Sequence, residues 1–357
     1  MKRVYFIHPG VKNIESFINY FCLEKMNLED KIIWDSSTPD LLFVSEHIYL
    51  NMRYFNEFKK FLKRSQTVKI FVAGECIAPD LNLFDYAFVF DKYLKDEDRI
   101  IRFPTLLFFR DSIYQNRNTM TRDSAKKELL EKDKFCCFIY SNGNAHPMRD
   151  QLFYSISKYR KVDSLGKHLH NVDVKESRTS NDWRKQSIEL KSKYKFAISS
   201  ENASYEGYTS EKLLSSLQAH TVPIYWGNPD IENEFNEKAF INCNKFKNLN
   251  DLVEYVKFID ENDEKWCEIV AQPWMTVEQE KRARVEIEAY YQSISKLINN
   301  SISELLRMPE GTYPNRYREF FSENKLYLRL NYSRLGKAYK KLTTFVRTCT
   351  NKFKTEQ

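Results

Sequence analysis

Residues 195–228 constrain the fold more than any other stretch of the chain. An apolar strand expected at 196–198 runs into a polar turn, and a helix is expected over 209–218. A second apolar strand at 222–226 stops at Gly227. This is a β-loop-α-β unit, with its polar residues gathered where the first strand ends and the helix starts. In open α/β sheets ligands bind at that junction, and a helix N-terminus there favours an anion. Glu211 and Lys212 fall in the first turn of the expected helix, placed to meet a ribose and a phosphate.

The rest of the chain repeats the alternation. Apolar runs at 4–7, 41–45, 68–73, 86–90 and 100–103 read as buried strands, and 14–23 and 48–62 show helical spacing between them. Strands interleaved with helices imply parallel sheet. A second set begins at 135 and continues through a helix at 148–158, a strand at 162–165 and the unit described above. A strand at 240–243 and a helix at 249–258 follow, and 261–306 reads as helical throughout. A chain of 357 residues exceeds one ordinary core, so two domains and an appendage are expected, at 1–130, 131–310 and 311–357. The polar stretch 111–133 serves as the connection between the first two.

Net charge is +7, but it is local. Residues 324–357 hold nine Lys and Arg against the single acid Glu356, so the remainder of the chain is nearly neutral. A basic tail is not a nucleic-acid-sized surface, and no nucleic-acid partner is expected. Within it Leu328, Tyr332, Leu335, Tyr339, Leu342 and Val346 recur at steps of four and three, the pattern of a basic amphipathic helix suited to an anionic membrane surface. A helix packed back on the rest of the chain fits the same spacing. The N-terminus has no long apolar leader, and no uncharged apolar run reaches about 18 residues. The seven cysteines are odd in number and form no C-x-x-C pair. From these features we expect reduced thiols in a cytoplasmic, bacterial chain, peripheral on the inner face of the cytoplasmic membrane if the tail binds there.

The run Ser200-Glu201-Asn202-x(5)-Tyr208-x-x-Glu211-Lys212, followed by the Pro223-Ile224-Tyr-Trp-Gly227 strand, resembles the donor-nucleotide motif of the GDP-fucose-dependent α-1,3/4-fucosyltransferases, glycosyltransferase family 10. Two further segments carry the resemblance. Ser141-Asn-Gly-Asn-Ala-His-Pro-Met-Arg149 is similar to the family's Ser-Asn…Arg segment, and Gly74-Glu75…Pro79-Asp80…Phe84-Asp-Tyr-Ala87 to its Gly-Glu-Asn…Phe-Asp-Tyr-Ala segment. The likeness covers roughly 65–260. Ser200 stands where the motif usually has Phe, Ser210 where it has Thr, and Cys76 where it has Asn.

The resemblance implies two doubly wound Rossmann-like α/β domains facing a cleft, the GT-B architecture, with the basic helical tail appended. It implies inverting transfer of L-fucose from GDP-β-L-fucose to the 3-hydroxyl of N-acetylglucosamine in a galactose-capped, Lewis-antigen-type acceptor. The GDP leaving group is already good, so one carboxylate base and two cations suffice. By the resemblance Glu75 is that base, while Arg149 and Lys212 bear the diphosphate charge. Arg149, Glu201, Asn202, Tyr208, Glu211 and Lys212 line the donor site, with Glu211 on the ribose. From the residues alone Glu46, which also follows an apolar strand, ranks level with Glu75. No metal or other cofactor is expected, since Arg149 and Lys212 do a divalent ion's work, and His168, His170 and His220 lack ligand spacing. The rival reading is a GT-B transferase using another nucleotide sugar or making the α-1,4 linkage.

Overall fold

The computed structural model describes residues 1–91, 94, 98–103, 120–173, 183–308 and 310–323. Two compact units emerge. The first joins Met1–Pro104 to the described part of 284–342, and the second consists of the described residues of 105–283. The division thus differs from the expected boundaries at 130 and 310, because the chain returns to the first unit at Arg284. Tyr290 shows why: its ring packs on Phe88 and Phe103 at 5.7 and 5.4 Å, and its hydroxyl donates to Phe21 O at 3.0 Å.

The first unit contains β1 (Lys2–Ile7), α1 (Ile14–Phe21), β2 (Ile32–Trp34), β3 (Leu41–Ser45), α2 (Met52–Lys59), β4 (Val68–Val72), β5 (Tyr86–Val89) and β6 (Ile100–Arg102). The strands form one parallel sheet in the order β2-β1-β3-β4-β5-β6. All of β3, β4 and β5 is buried, as expected of parallel strands covered on both faces. Helix α1 opens on a capping box between Asn13 and Ser16 and seats Phe17 and Phe21 against Phe43 at 5.0 and 4.7 Å. The helical spacing over 48–62 resolves into a 3₁₀ turn at Glu46–Tyr49 and then α2, which starts where the Asn51 side chain caps the Arg53 amide.

The second unit contains α3 (Arg122–Leu130), β7 (Lys134–Phe138), α4 (Met148–Tyr159), β8 (Val162–Ser164), α5 (Trp183–Lys191), β9 (Tyr194–Ser200), α6 (Glu211–Gln218), β10 (Val222–Trp226), β11 (Ile241–Asn242), α7 (Leu249–Asp260) and α8 (Asp263–Val270). Its sheet is also wholly parallel, in the order β11-β10-β9-β7-β8. A core of Phe138, Phe196, Ile198, Ile224 and Trp266 lies on it. Part of the expected connection 111–133 is the helix α3; its residues 111–119 lie outside the described ones. The region read as helical over 261–306 holds α8, α9 (Val277–Asn299) and α10 (Ile302–Leu305), and α11 (Thr312–Glu323) follows. The basic stripe expected over 324–357 lies outside the described residues.

Each sheet reverses its strand order once, between β1 and β3 in the first unit and between β7 and β9 in the second. Doubly wound sheets bind ligands outside the carboxyl ends of strands at that reversal. In the second unit those ends deliver Tyr140–Asn142 and Glu201–Asn202; in the first they deliver His8 and Glu46, with Glu75 beyond the neighbouring β4. Among the described residues no helix is long and apolar enough to cross a membrane, and no disulfide joins two of the described cysteines.

Candidate active site

As β9 ends, Glu201 turns its carboxylate into the protein and is fully buried. One oxygen accepts the Ser210 amide at 2.8 Å, and the other accepts the Ser210 hydroxyl at 2.6 Å and lies 3.2 Å from Lys212 Nζ. Gly227 at the end of β10 makes room for it, since a Cβ there would stand 2.3 Å from Glu201 Cγ. Lys212 also donates to Ser210 Oγ at 2.8 Å and lies 3.6 Å from Glu211 Oε1. Burial draws the Lys212 ammonium down, but Glu201 and Glu211 outweigh it and the net shift is upward. For Glu211 burial pushes up, while Lys212, its own amide, Lys191 and Arg184 together hold it below the usual carboxylate range. Both groups stay charged at neutral pH.

Helix α6 begins at Glu211, two residues later than its expected start at 209. Ser210 occupies the N-cap position but makes no side-chain cap, because its hydroxyl is committed to Glu201. Glu211 and Lys212 are consequently the first two helical residues, where the dipole adds its own positive potential.

Arg149 lies in the first turn of α4 and is 1% exposed. Its guanidinium donates to Asn202 Oδ1 at 2.6 Å, Ser200 O at 3.0 Å and Asn142 O at 3.3 Å, and sits 4.1 Å above the Tyr140 ring. Its Nε–H has no partner among the described residues. Tyr140 fastens the ends of β7 and β9 together: its hydroxyl donates to Ile198 O at 2.9 Å and accepts the Ser200 amide at 2.7 Å. Burial raises this phenol to about 12, so it stays protonated. Ser200 therefore meets Arg149 and Tyr140 through its main chain, and neither contact depends on its side chain.

A cavity of about 390 Å³ opens at this edge, lined by Tyr140, Ser141, Leu190, Lys191, Glu211 and Lys212 among others. Of the residues named from sequence, Glu211 and Lys212 border it, whereas Glu201, Arg149 and Tyr208 are buried at 0%, 1% and 3% exposure. Asn202 is half-buried and held by Arg149.

Two members of this region were not found from sequence. Asn228, fully buried, organises the loop before α6: its Oδ1 accepts the Gly207 and Asp230 amides at 3.0 and 2.9 Å, and its Nδ2 donates to Thr209 Oγ1 at 3.1 Å. Its signal was its place directly after Gly227. Lys191, the last residue of α5, donates to Ser215 Oγ at 2.6 Å, Ser216 Oγ at 3.0 Å and Lys212 O at 3.2 Å. It had none, because α5 itself was not anticipated.

Burial pulls Lys191 down from 10.5 to about 8. A folded state that gives up its proton earlier than the unfolded chain gains stability as pH rises between those values, because the unfolded chain then binds more protons. Lys69 and Lys132 are lowered to about 8 in the same way. Urea denaturation should therefore show stability contributed by these lysines increasing from pH 8 toward 10. The Lys191→Met variant should show a shallower rise than the wild type; an identical slope would mean that Lys191 keeps its proton throughout.

In the first unit Glu75 is exposed just past β4, after Gly74, and its carbonyl accepts the Ile77 amide at 2.8 Å. Glu46 is 7% exposed, and its Oε2 accepts the Gly74 amide at 3.1 Å. Among the described residues no cluster of three or more His, Cys, Asp or Glu could hold a metal ion.

The sequence profile described as "Glycosyltransferase family 10 (fucosyltransferase) C-term" matches residues 129–295, and the "Alpha-(1,3)-fucosyltransferase FucT N-terminal domain" profile matches 18–109. A fucosyltransferase-like protein of Acanthamoeba polyphaga mimivirus is 34% identical over 220 residues, covering 60% of this chain and 35% of that one. The alpha-(1,3)-fucosyltransferase FucT of Helicobacter pylori is 28% identical over 232 residues, 56% of this chain and 46% of that one. The chain thus spans about a third to a half of the length of these relatives. A crystal structure of an alpha1,3-fucosyltransferase with GDP-fucose shares the fold, at TM-score 0.61 and 21% identity over 84% of this chain and 90% of that one.

Proposed function

The chain belongs to glycosyltransferase family 10, the fucosyltransferases, and from that premise we propose that it moves L-fucose from GDP-β-L-fucose to the 3-hydroxyl of N-acetylglucosamine in a galactose-capped oligosaccharide, with inversion at C1. One observation carries the reading. Lys212, Glu211 and the first turn of α6 border a cavity at the strand-order reversal of the second unit, next to the Tyr140–Arg149 pair. That is a site for a nucleoside diphosphate: a carboxylate for ribose hydroxyls, and an ammonium with a helix start for the phosphates.

In this reading Lys212 and Arg149 carry the charge that grows on the departing GDP. Such preorganised stabilisation usually contributes more than any other single effect. Arg149 orients Asn202, and its buried Nε–H supplies a donor for a phosphate oxygen. Glu201 fixes Lys212 from beneath and does not itself meet the nucleotide. Glu75 takes the acceptor hydroxyl's proton as C1 is attacked. No metal ion is needed, because these cations neutralise the leaving group. The basic segment 324–357 binds an anionic membrane surface on its cytoplasmic side.

The test has two steps. GDP should raise the thermal midpoint while UDP and CMP leave it unchanged; a larger shift with UDP would replace the donor. With GDP-fucose, N-acetyllactosamine should gain fucose on its free N-acetylglucosamine 3-hydroxyl, as read by linkage analysis, while its β1,3-linked isomer, whose 3-hydroxyl is occupied by galactose, should stay unmodified. Fucose on the 4-hydroxyl would turn the assignment to the α-1,4 linkage.

A further inference from the structure

Glu46, a buried carboxylate of the first unit, has no role in the reaction as described. Glu46 follows β3 directly. β3 and β4 run parallel with Ser45 opposite Val72, so Glu46 stands beside the point where β4 leaves the sheet. The Ala73 amide still reaches a sheet partner, Phe88 O, at 2.8 Å. The next amide, that of Gly74, goes instead to Glu46 Oε2. The other carboxylate oxygen lies 3.1 Å from where a Cβ on Gly74 would stand, so the acid lies against the glycine backbone. Directly afterward the bond from Ile77 N–H to Glu75 O closes a tight turn. Glu75 is thus bracketed by two fixed amides, and one of them is fixed by Glu46.

An amide past the end of a ladder needs an acceptor, and a carboxylate makes a stronger one than a neutral oxygen. His47 Nδ1 lies 3.7 Å from Glu46 Oε1 and 3.2 Å from Ser45 Oγ, with His8 packed against the His47 ring at 5.5 Å. Burial raises Glu46 above the usual carboxylate range; the Gly74 amide and His47 oppose it, and the Glu75 charge adds to it. An acid kept buried at that cost has a structural task at this strand end.

We propose that Glu46 is the positioning residue for Glu75, supplying the sheet rung that Gly74 lacks and so setting where the Glu75 carboxylate leaves β4. The inference rests on Glu75 being the base. Misplacing a reacting group by about 1 Å costs on the order of 100-fold in rate.

The experiment compares Glu46→Ala with Glu46→Gln, whose amide oxygen can still accept the Gly74 N–H. Glu46→Ala should lower kcat by roughly 10- to 100-fold while leaving the Kd for GDP unchanged, and Glu46→Gln should recover kcat to within about 3-fold. Amide exchange read by NMR adds a measure independent of turnover: the Gly74 amide should be protected in the wild type and in Glu46→Gln, and exchange faster in Glu46→Ala. Wild-type kcat in Glu46→Ala, or equal losses in both variants, would overturn the proposal. Glu75→Ala runs beside them. Full activity there defeats the base assignment, whereas an inactive Glu75→Ala beside an unaffected Glu46→Ala defeats only the role of Glu46.

Discussion

Replacing Lys212 by Met should be the most damaging single change in the second unit, lowering stability and GDP affinity together. Lys212 lies 3.2 Å from Glu201, which has no exposure to solvent at all. Removing one partner of a buried ion pair leaves an uncompensated charge and costs about 3–5 kcal/mol. Urea denaturation at pH 7 should show that loss. GDP affinity should fall as well, since the ammonium borders the cavity and stays protonated. The double variant Lys212→Met/Glu201→Gln separates the two effects. It removes both charges, so most of the stability should return, while GDP binding should stay weak. A double variant that binds GDP like the wild type would show that Lys212 serves the fold alone.

Glu75→Gln should have the opposite profile. The side chain is exposed past the end of β4, so the substitution should change stability by no more than about 0.5 kcal/mol. Turnover should nevertheless fall by roughly 10²- to 10⁴-fold, the range supplied by a positioned general base. GDP affinity, measured by calorimetry, should not move. Wild-type turnover in this variant would require another base. A rate loss matched by an equal loss of GDP affinity would mean that Glu75 acts through donor binding.

The strands were legible because parallel sheets bury both faces and are written as unbroken apolar runs, such as Leu41–Ser45 and Val222–Trp226. What escaped lacked that signal. β2 is three residues long, and its Ile33 is 40% exposed. Helix α5 reads Trp-Arg-Lys-Gln-Ser-Ile-Glu-Leu-Lys, with too few apolar positions to mark a face, and Lys191 was lost with it. The unit boundaries escaped for another reason. The return of the chain at Arg284 depends on Tyr290 meeting Phe21, Phe88 and Phe103, partners far away in sequence.

Within the site, Glu211 and Lys212 were legible by position, as charged residues at the start of a helix that follows a strand. The inward turn of Glu201 was not. An acid just past a strand end ordinarily faces water, and only Gly227, Ser210 and Lys212 together make the interior hospitable to it. Ser200 stands where the family motif usually has Phe. The difference is absorbed because the neighbours bond to the backbone there.

The fit of Glu201 against Gly227 limits how this protein can diverge over time. Any side chain at 227 evicts the acid, loss of the acid strands the ammonium at 212, and loss of that ammonium leaves the acid intolerable. Positions in such contact are non-additive, so the order in which changes accumulate matters. Descendants of this chain should therefore inherit Glu201, Lys212 and Gly227 as a block, each historical step away from it being worse than the destination.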